Sequence, residues 1–305
     1  MEFFKTNTKI DFMRQRKWAA LFSSILFIFS IVSLVVNGLN LGLDFTGGLQ
    51  LQMHYKQPVN FSKVRNELNK VGFPEAVVQA YGTSQDIIVK LQPKAKASRS
   101  AIIKKVTASL VGAKLQQVDY IGPEIGKTLV ANGLLAIFIS LIATMAYIAI
   151  RFEYRFGISS TVALIHDPVL ILGIFSFFHI EFNVIALAAV LTVIGFSLND
   201  TVVVYDRVRE NFRKLRKGTS VEVLNLSVNQ TLSRTIMTSG LTLVVVVALF
   251  LFGGPTLRGF SLALIIGIVI GTYSSIYVAG SLAIIMGLSK QHLMPPEKGP
   301  VDDLP

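Results

Sequence analysis

The chain has 305 residues, 52% of them hydrophobic and only 15% charged, with a mean hydropathy of +0.58. Soluble domains carry about 25% charged residues, so this composition argues against one large soluble domain and for a membrane protein. The absence of cysteine removes disulfides, thiolate metal sites and cysteine nucleophiles, and the net charge of +11 encodes topology in a membrane chain rather than an affinity for nucleic acid.

The first 17 residues interleave Lys5, Lys9, Arg14, Arg16 and Lys17 with Phe3, Phe4, Ile10, Phe12 and Met13, which suits either a short interfacial helix or a basic cytoplasmic tail. A span needs about 20 mainly apolar residues. Residues 18–37 meet that length, and no small-residue cleavage site follows them, so they read as an uncleaved anchor.

Residues 38–127 are long enough for a small folded domain. Leu49, Leu51, Met53 and Tyr55 alternate with Gln50, Gln52 and His54, a half-buried strand, with His54 expected alone on the solvated face. Val64, Leu68 and Val71 mark a helix over 61–71. Strands are expected at 77–80 and 87–91 around a turn at Gly82-Thr83-Ser84, a second helix over 99–111, and a last strand over 114–120. The order is βαββαβ, a ferredoxin-like split, which by itself says little about function.

Five further spans are expected in 128–289, at 129–150, 156–178, 183–205, 236–253 and 259–287, before a tail from 290 to 305. Fifteen basic residues fall in the N-terminal segment, the loops after the second and fourth spans, and the tail; the opposite short loops hold only Arg258. This bias puts both termini in the cytoplasm and the 38–127 domain outside. The domain's own 12 basic and 6 acidic residues do not contradict it, because long loops translocate regardless of charge.

Ionisable groups inside the bilayer are costly and point to function. The fourth span carries Ser197, Asn199, Asp200 and Thr201, a polar patch that should face protein or water; Asp200 otherwise lies near the span's end and reaches the interface. At the start of the fifth span Thr231, Arg234, Thr235, Thr238 and Thr242 share one helical face. Their hydroxyls are suited to bonds across helices or to water. Arg234 is either the partner of Asp200 or an interfacial topogenic arginine. An Asp–Arg pair that closes and opens would change the proton affinity of the carboxyl group. In the third span Pro168 follows His166 and Asp167. Asp167 is a second intramembrane carboxylate or a polar contact at a bend, and the spacing of these residues offers no metal site. Gly267, Gly271 and Ser275 recur every four residues in the sixth span, a close-packing face. No nucleophile–base set or phosphate loop appears, so an enzyme is not expected.

The segment Ile194–Glu210, with Leu43–Gly48, Ile121–Gly126, Asp11–Arg14, Ile165–Asp167 and Ser233–Thr235, resembles the SecD/SecF family of bacterial protein export over essentially the whole chain. That resemblance implies half of an RND-type unit paired with SecD, assisting the SecYEG channel, with YajC and YidC as possible neighbours and a translocating polypeptide as substrate. It also implies a bacterial inner-membrane location and a proton as the coupling ion, with no other cofactor. It would place Asp200 and Arg234 in the proton-responsive site, with Asp167, Asn199, Thr201 and Thr238 around it. Asp44, Gly47, Gly48, Gly122, Pro123 and Gly126 would shape the joins between domain and membrane. Asp206, Arg207, Arg209 and Glu210 would form a cytoplasmic charge network, although topology alone also explains the arginines. An RND-type exporter of small molecules or lipids, or a non-transporting assembly scaffold, are the competing readings.

Overall fold

The computed structural model describes residues 8–92, 98–215 and 218–288. Phe3, Phe4, Lys5, Arg216, Lys217 and the 290–305 tail lie outside the described residues. In chain order the elements are α1 (Arg16–Asn37), α2 (Leu43–Thr46), β1 (Gly48–Tyr55), α3 (Phe61–Lys70), β2 (Val77–Tyr81), β3 (Thr83–Leu91), α4 (Arg99–Ser109), β4 (Ala113–Ile121), α5 (Pro123–Arg151), α6 (Tyr154–Phe177), α7 (Val184–Lys214), α8 (Ser220–Phe252) and α9 (Gly254–Ser274), which passes through a π segment (Ser275–Ala279) into α10 (Gly280–Ile285).

The strands form one antiparallel sheet in the order β2-β3-β1-β4, the ferredoxin-like split, inserted between the first and second membrane helices. Alternation in β1 sends Leu49, Leu51 and Met53 against Val64 and Leu68 of α3 and Ile102 and Val106 of α4. Asn60 caps α3, its side-chain oxygen accepting from Lys63 N at 3.2 Å. The expected turn at 82–84 is tighter than its sequence suggests. Only Gly82 turns, at φ +73°, and Thr83 and Ser84 already belong to β3. His54 is not alone. The β1–β3 register sets it opposite Asp86, and its Nδ1 lies 2.6 Å from Asp86 Oδ1 on the half-exposed face.

Among the described residues, six helices are long and apolar enough to cross a membrane. α6, α7 and the α9–α10 helix form the inner layer, and α1, α5 and α8 flank it with largely exposed outer faces. Close approach explains the small residues. A Cβ on Gly267 would stand 2.1 Å from Val193 Cγ2, and one on Gly173 would stand 2.2 Å from Ser30 Cβ. Gly271 meets Ser197 on the same face.

α7 and α8 run well past the expected ends of their spans. Thr219 and Glu222 form a reciprocal capping box that starts α8 at Ser220, sixteen residues before the apolar run at 236. The described part of the N-terminal segment is not an interfacial helix before Met13. Residues 8–11 have no regular secondary structure and form a strap on α8, where Asn229 bonds both the N–H and the C=O of Ile10, at 2.9 and 2.8 Å, and Asn225 accepts from Met13 N at 3.3 Å. Met13 is buried at the end of the strap.

Candidate functional site in the membrane bundle

Among the described residues, two carboxylates are buried inside the bundle, and they are held differently. Asp167, midway along α6, is fully buried. Its Oδ2 accepts from Ser197 Oγ of α7 at 2.6 Å and from Ser274 Oγ of α9 at 2.8 Å, and its Oδ1 lies 3.0 Å from His166 Nδ1. Three helices therefore meet on one carboxyl group. Asp167 is this three-helix junction, not merely a contact at the Pro168 bend.

Asp200, one turn along α7 from Ser197, is 2% exposed. Among the described residues one hydrogen bond reaches it, from Ser239 Oγ of α8 at 3.3 Å, and Ser239 Oγ lies 2.9 Å from Thr272 Oγ1 of α9. Thr272 and Ser274 sit two residues apart, so a single turn of α9 touches both carboxylate clusters, and the π segment begins at the next residue.

Arg234 stands apart from Asp200. It is exposed and joins no ion pair among the described residues, although it lies within Coulombic reach of the carboxylate. Of the neighbours expected around the pair, Asn199 is exposed, and Thr201 turns its hydroxyl to Ser197 O at 2.9 Å. Thr238 bonds Arg234 O at 3.0 Å, Thr231 bonds Ser227 O at 3.0 Å, and Thr242 bonds Thr238 O at 2.8 Å. Three threonines of this face thus bond their own preceding turn instead of crossing to another helix. Ser239, Thr272 and Ser274, which sequence reasoning passed over, supply the crossing bonds. Ser239 is four residues beyond Thr235 on the same face, and that spacing was the available signal.

The join between domain and bundle is built from the Leu43–Gly48 segment. Asp44 Oδ2 accepts from Val184 N at 3.1 Å, so it caps the first turn of the helix that carries Asp200. The α2 turn wedges Phe45 against Phe182, rings stacked at 5.9 Å. Gly126 presses on the backbone of that wedge, where a Cβ would stand 2.5 Å from Phe45 O. Gly47 ends α2 at φ +70°, and a Cβ on Gly48, at φ +144°, would stand 2.5 Å from Leu91 O. Gly122 and Pro123 begin α5, with Pro123 at its first position, where a missing N–H costs nothing. Lys90 of β3 reaches Glu181 in the α6–α7 loop at 2.5 Å, and Gln79 of β2 reaches it at 3.4 Å.

At the far end of α7, Glu210 pairs with Arg207 at 2.7 Å and with Lys214 at 2.5 Å. Arg209 donates to Arg151 O at 3.4 Å. Asp206 is exposed and joins no ion pair among the described residues.

Residues 102–289 match the family described as protein export membrane protein SecD/SecF, C-terminal, and residues 32–59 match the SecD/SecF GG motif, which contains the Asp44–Gly48 wedge. The chain is 44% identical over 298 residues to a protein translocase subunit SecF from Vibrio alginolyticus, covering 96% of this chain and 95% of that one. It is 43% identical over 290 residues to the same subunit of Escherichia coli O157:H7, covering 93% and 90%. Among solved structures it resembles SecDF from Thermus thermophilus, described as a translocon-associated membrane protein, with a TM-score of 0.84 at 35% identity over 93% of this chain. A super-membrane-facing form of SecDF gives a TM-score of 0.69 at the same identity. The chain spans 39% of the length of either SecDF chain. With its six membrane helices and inserted ferredoxin-like domain, the chain belongs to the SecD/SecF family of protein export membrane proteins.

Proposed function

We propose that the chain is the SecF-type subunit of the bacterial Sec translocase, that it pairs with SecD, and that it uses the proton motive force to promote export. Its relatives carry the name of that subunit, and its match to about two fifths of SecDF supports a second half supplied by a partner. In this reading both termini are cytoplasmic, and the α+β domain faces the exported polypeptide.

The observation that carries the coupling is the surroundings of Asp200. It lies inside the bundle with one hydroxyl donor among the described residues, while the exposed Arg234 guanidinium on the adjacent helix joins no ion pair among them. A rotation of α8 that swaps Ser239 for Arg234 changes the affinity of Asp200 for a proton. A charge moved through 100 mV is worth about 2.3 kcal/mol, enough to bias a two-state bundle. Ser239, Thr272 and Ser274 link that step to Asp167 and to the π segment of the sixth span. Asp44, which caps α7, and Lys90 with Glu181 carry it to the domain.

The test is export into vesicles holding the complex, with and without a proton gradient, comparing wild type with Asp200→Asn. The gradient-dependent part should vanish while accumulation and co-purification stay normal. A full response to the gradient in the variant would leave the carboxylate a mere helix contact and make the assembly-scaffold reading the better one.

A further inference from the structure

A crevice of about 440 Å³ opens between α1, α6 and the π–α10 end of the last span, away from Asp200. Its lining is mainly apolar, with Phe27, Ile28, Val278, Leu282 and Ile285 prominent. Its volume falls in the range of about 300–1,000 Å³ typical of small-ligand sites. Ile28, Ile165 and Ile285 at its margin are exposed on the apolar outer surface of the spans, so the mouth faces hydrocarbon.

Two lining residues carry buried polar atoms with no hydrogen-bond partner among the described residues, His166 Nε2 and Ser281 Oγ. His166 is 5% exposed and stands midway along a helix that crosses the membrane. An unsatisfied buried polar atom costs about 1–3 kcal/mol, so whatever satisfies both atoms is favoured. The chemistry of each atom follows from its neighbours. With Asp167 as a carboxylate, which only accepts, His166 Nδ1 at 3.0 Å carries the proton and Nε2 is left as an acceptor. The occupant must therefore donate. A serine hydroxyl donates as well as accepts, so Ser281 suits a carbonyl. No charged side chain lines the crevice, and a charge at this depth would be costly, so the occupant is neutral.

We propose that the crevice binds a neutral acylglycerol of the bilayer, a diacylglycerol, with an acyl chain along the apolar wall, its free hydroxyl donating to His166 Nε2 and an ester carbonyl accepting from Ser281 Oγ. The Phe27 ring, stacked on the imidazole with centroids 6.0 Å apart, turns aside to admit the hydroxyl. The lipid hydroxyl then sits one imidazole away from Asp167.

The test uses the intact complex returned to phosphatidylcholine vesicles that contain a diacylglycerol with a diazirine in its acyl chain. After illumination, labelled peptides should concentrate in α1, α6 and α10. Unlabelled diacylglycerol should compete, whereas triacylglycerol, whose hydroxyl is esterified, should not. His166→Leu should lower labelling at least fivefold. Ser24→Phe, at an exposed position on the crevice rim, should block it by filling the mouth, and this variant keeps the test decidable if His166→Leu fails to accumulate. Labelling spread over every exposed helix, equal competition by triacylglycerol, no response to either variant, or cross-links showing a partner helix seated in the crevice would each overturn the proposal.

Discussion

The α+β domain and the membrane bundle sit on one chain and are held by opposite means. In the domain, twelve buried apolar side chains from β1, β2, β3, α3, α4 and the adjoining turns fill a single core, and no buried carboxylate is needed. There, water outside drives apolar surface inside. In the bundle the lipid is as apolar as the core, so burial of leucine or valine distinguishes little. What fixes the helices is small residues that let backbones touch, and hydroxyls that cross between helices. Ser176 with Ser33, Asp167 with Ser197 and Ser274, and Ser159 with Tyr205 are polar stations along the length of α6. A protein built this way confines its ionisable chemistry to the region where polar contacts already hold the structure.

That contrast is broken most severely by adding volume to the bundle. Gly267→Leu and Gly173→Leu should abolish accumulation in the membrane, because each added Cβ would meet Val193 or Ser30 far inside van der Waals contact. Immunoblots of membrane fractions would read this. Normal levels for both variants would mean that the helix faces are not the ones described. In the domain the damaging change has the opposite sign. Leu51→Ala removes volume from a fully buried site and should cost about 2–5 kcal/mol. Amide hydrogen exchange on the full chain should show that loss in β1, β3 and α3 and leave α6 and α9 unchanged.

The two buried carboxylates sharpen the comparison within the bundle. Asp167→Ala takes an acceptor from three donors, of which Ser274 keeps Gly271 O at 3.2 Å while Ser197 and His166 are stranded, and should destabilise by about 2–4 kcal/mol, as each stranded group costs about 1–3 kcal/mol. Asp200→Ala strands only the Ser239 hydroxyl, which keeps Thr272, and should cost about 1 kcal/mol. Melting of the purified complex should rank them in that order. The reverse ranking would assign the structural role to Asp200 and the exchangeable one to Asp167.

Much of this was legible in the sequence, for reasons that differ between the regions. The six spans follow from length and hydropathy, and the order of the split sheet follows from period-two and helical stripes, because both patterns are local. The polar stations are not local. Asp200 stands out as a charge in an apolar run, but whether Arg234, Thr238 or Ser239 faces it depends on the rotation of α8 about its axis, which no stripe of threonines fixes once those threonines bond their own helix. Asp44 as the cap of a helix 140 residues away, and the strap of residues 8–11 on Asn229, are likewise set by tertiary placement. The glycines at 47, 48 and 126 were readable as positions of tight backbone, which holds as positive φ at Gly47 and Gly48 and as close approach at Gly126. The reasons were not: Gly126 lets α5 pack on the α2 wedge, whereas Gly48 passes the backbone of Leu91 in β3.

At the seam between the regions, Lys90→Gln should have a smaller effect. The Lys90–Glu181 pair is partly buried, with side chains 15% and 23% exposed, and its loss should cost about 1 kcal/mol. Faster hydrogen exchange in the α6–α7 loop, with an unchanged domain core, is the expected signature. Exchange unaltered at the loop would mean that the Asp44 cap and Phe45–Phe182 packing hold the seam by themselves.

The smallest effect belongs to the exposed face of the domain, where electrostatics are screened. The Thr83 hydroxyl, bonded at 2.5 Å, and the imidazole of His54 at 2.6 Å hold the Asp86 carboxyl below its ordinary range. A carboxyl whose pKa is lower folded than unfolded contributes stability that is complete above its unfolded value and is lost as pH falls through its folded value. The protection of the β1–β3 amides around His54 and Asp86, taken relative to intrinsic exchange at each pH, should therefore fall as the pH drops below about 4, the ordinary carboxylate value. Asp86→Asn should erase that dependence, leaving the two proteins alike at the acid end and most different near neutrality. A difference that stays constant from pH 6 to pH 3 would show that Asp86 acts there through its shape and hydrogen bonds alone. In that case even the water-facing side of the domain would follow the rule of the bundle, where contact geometry outweighs charge.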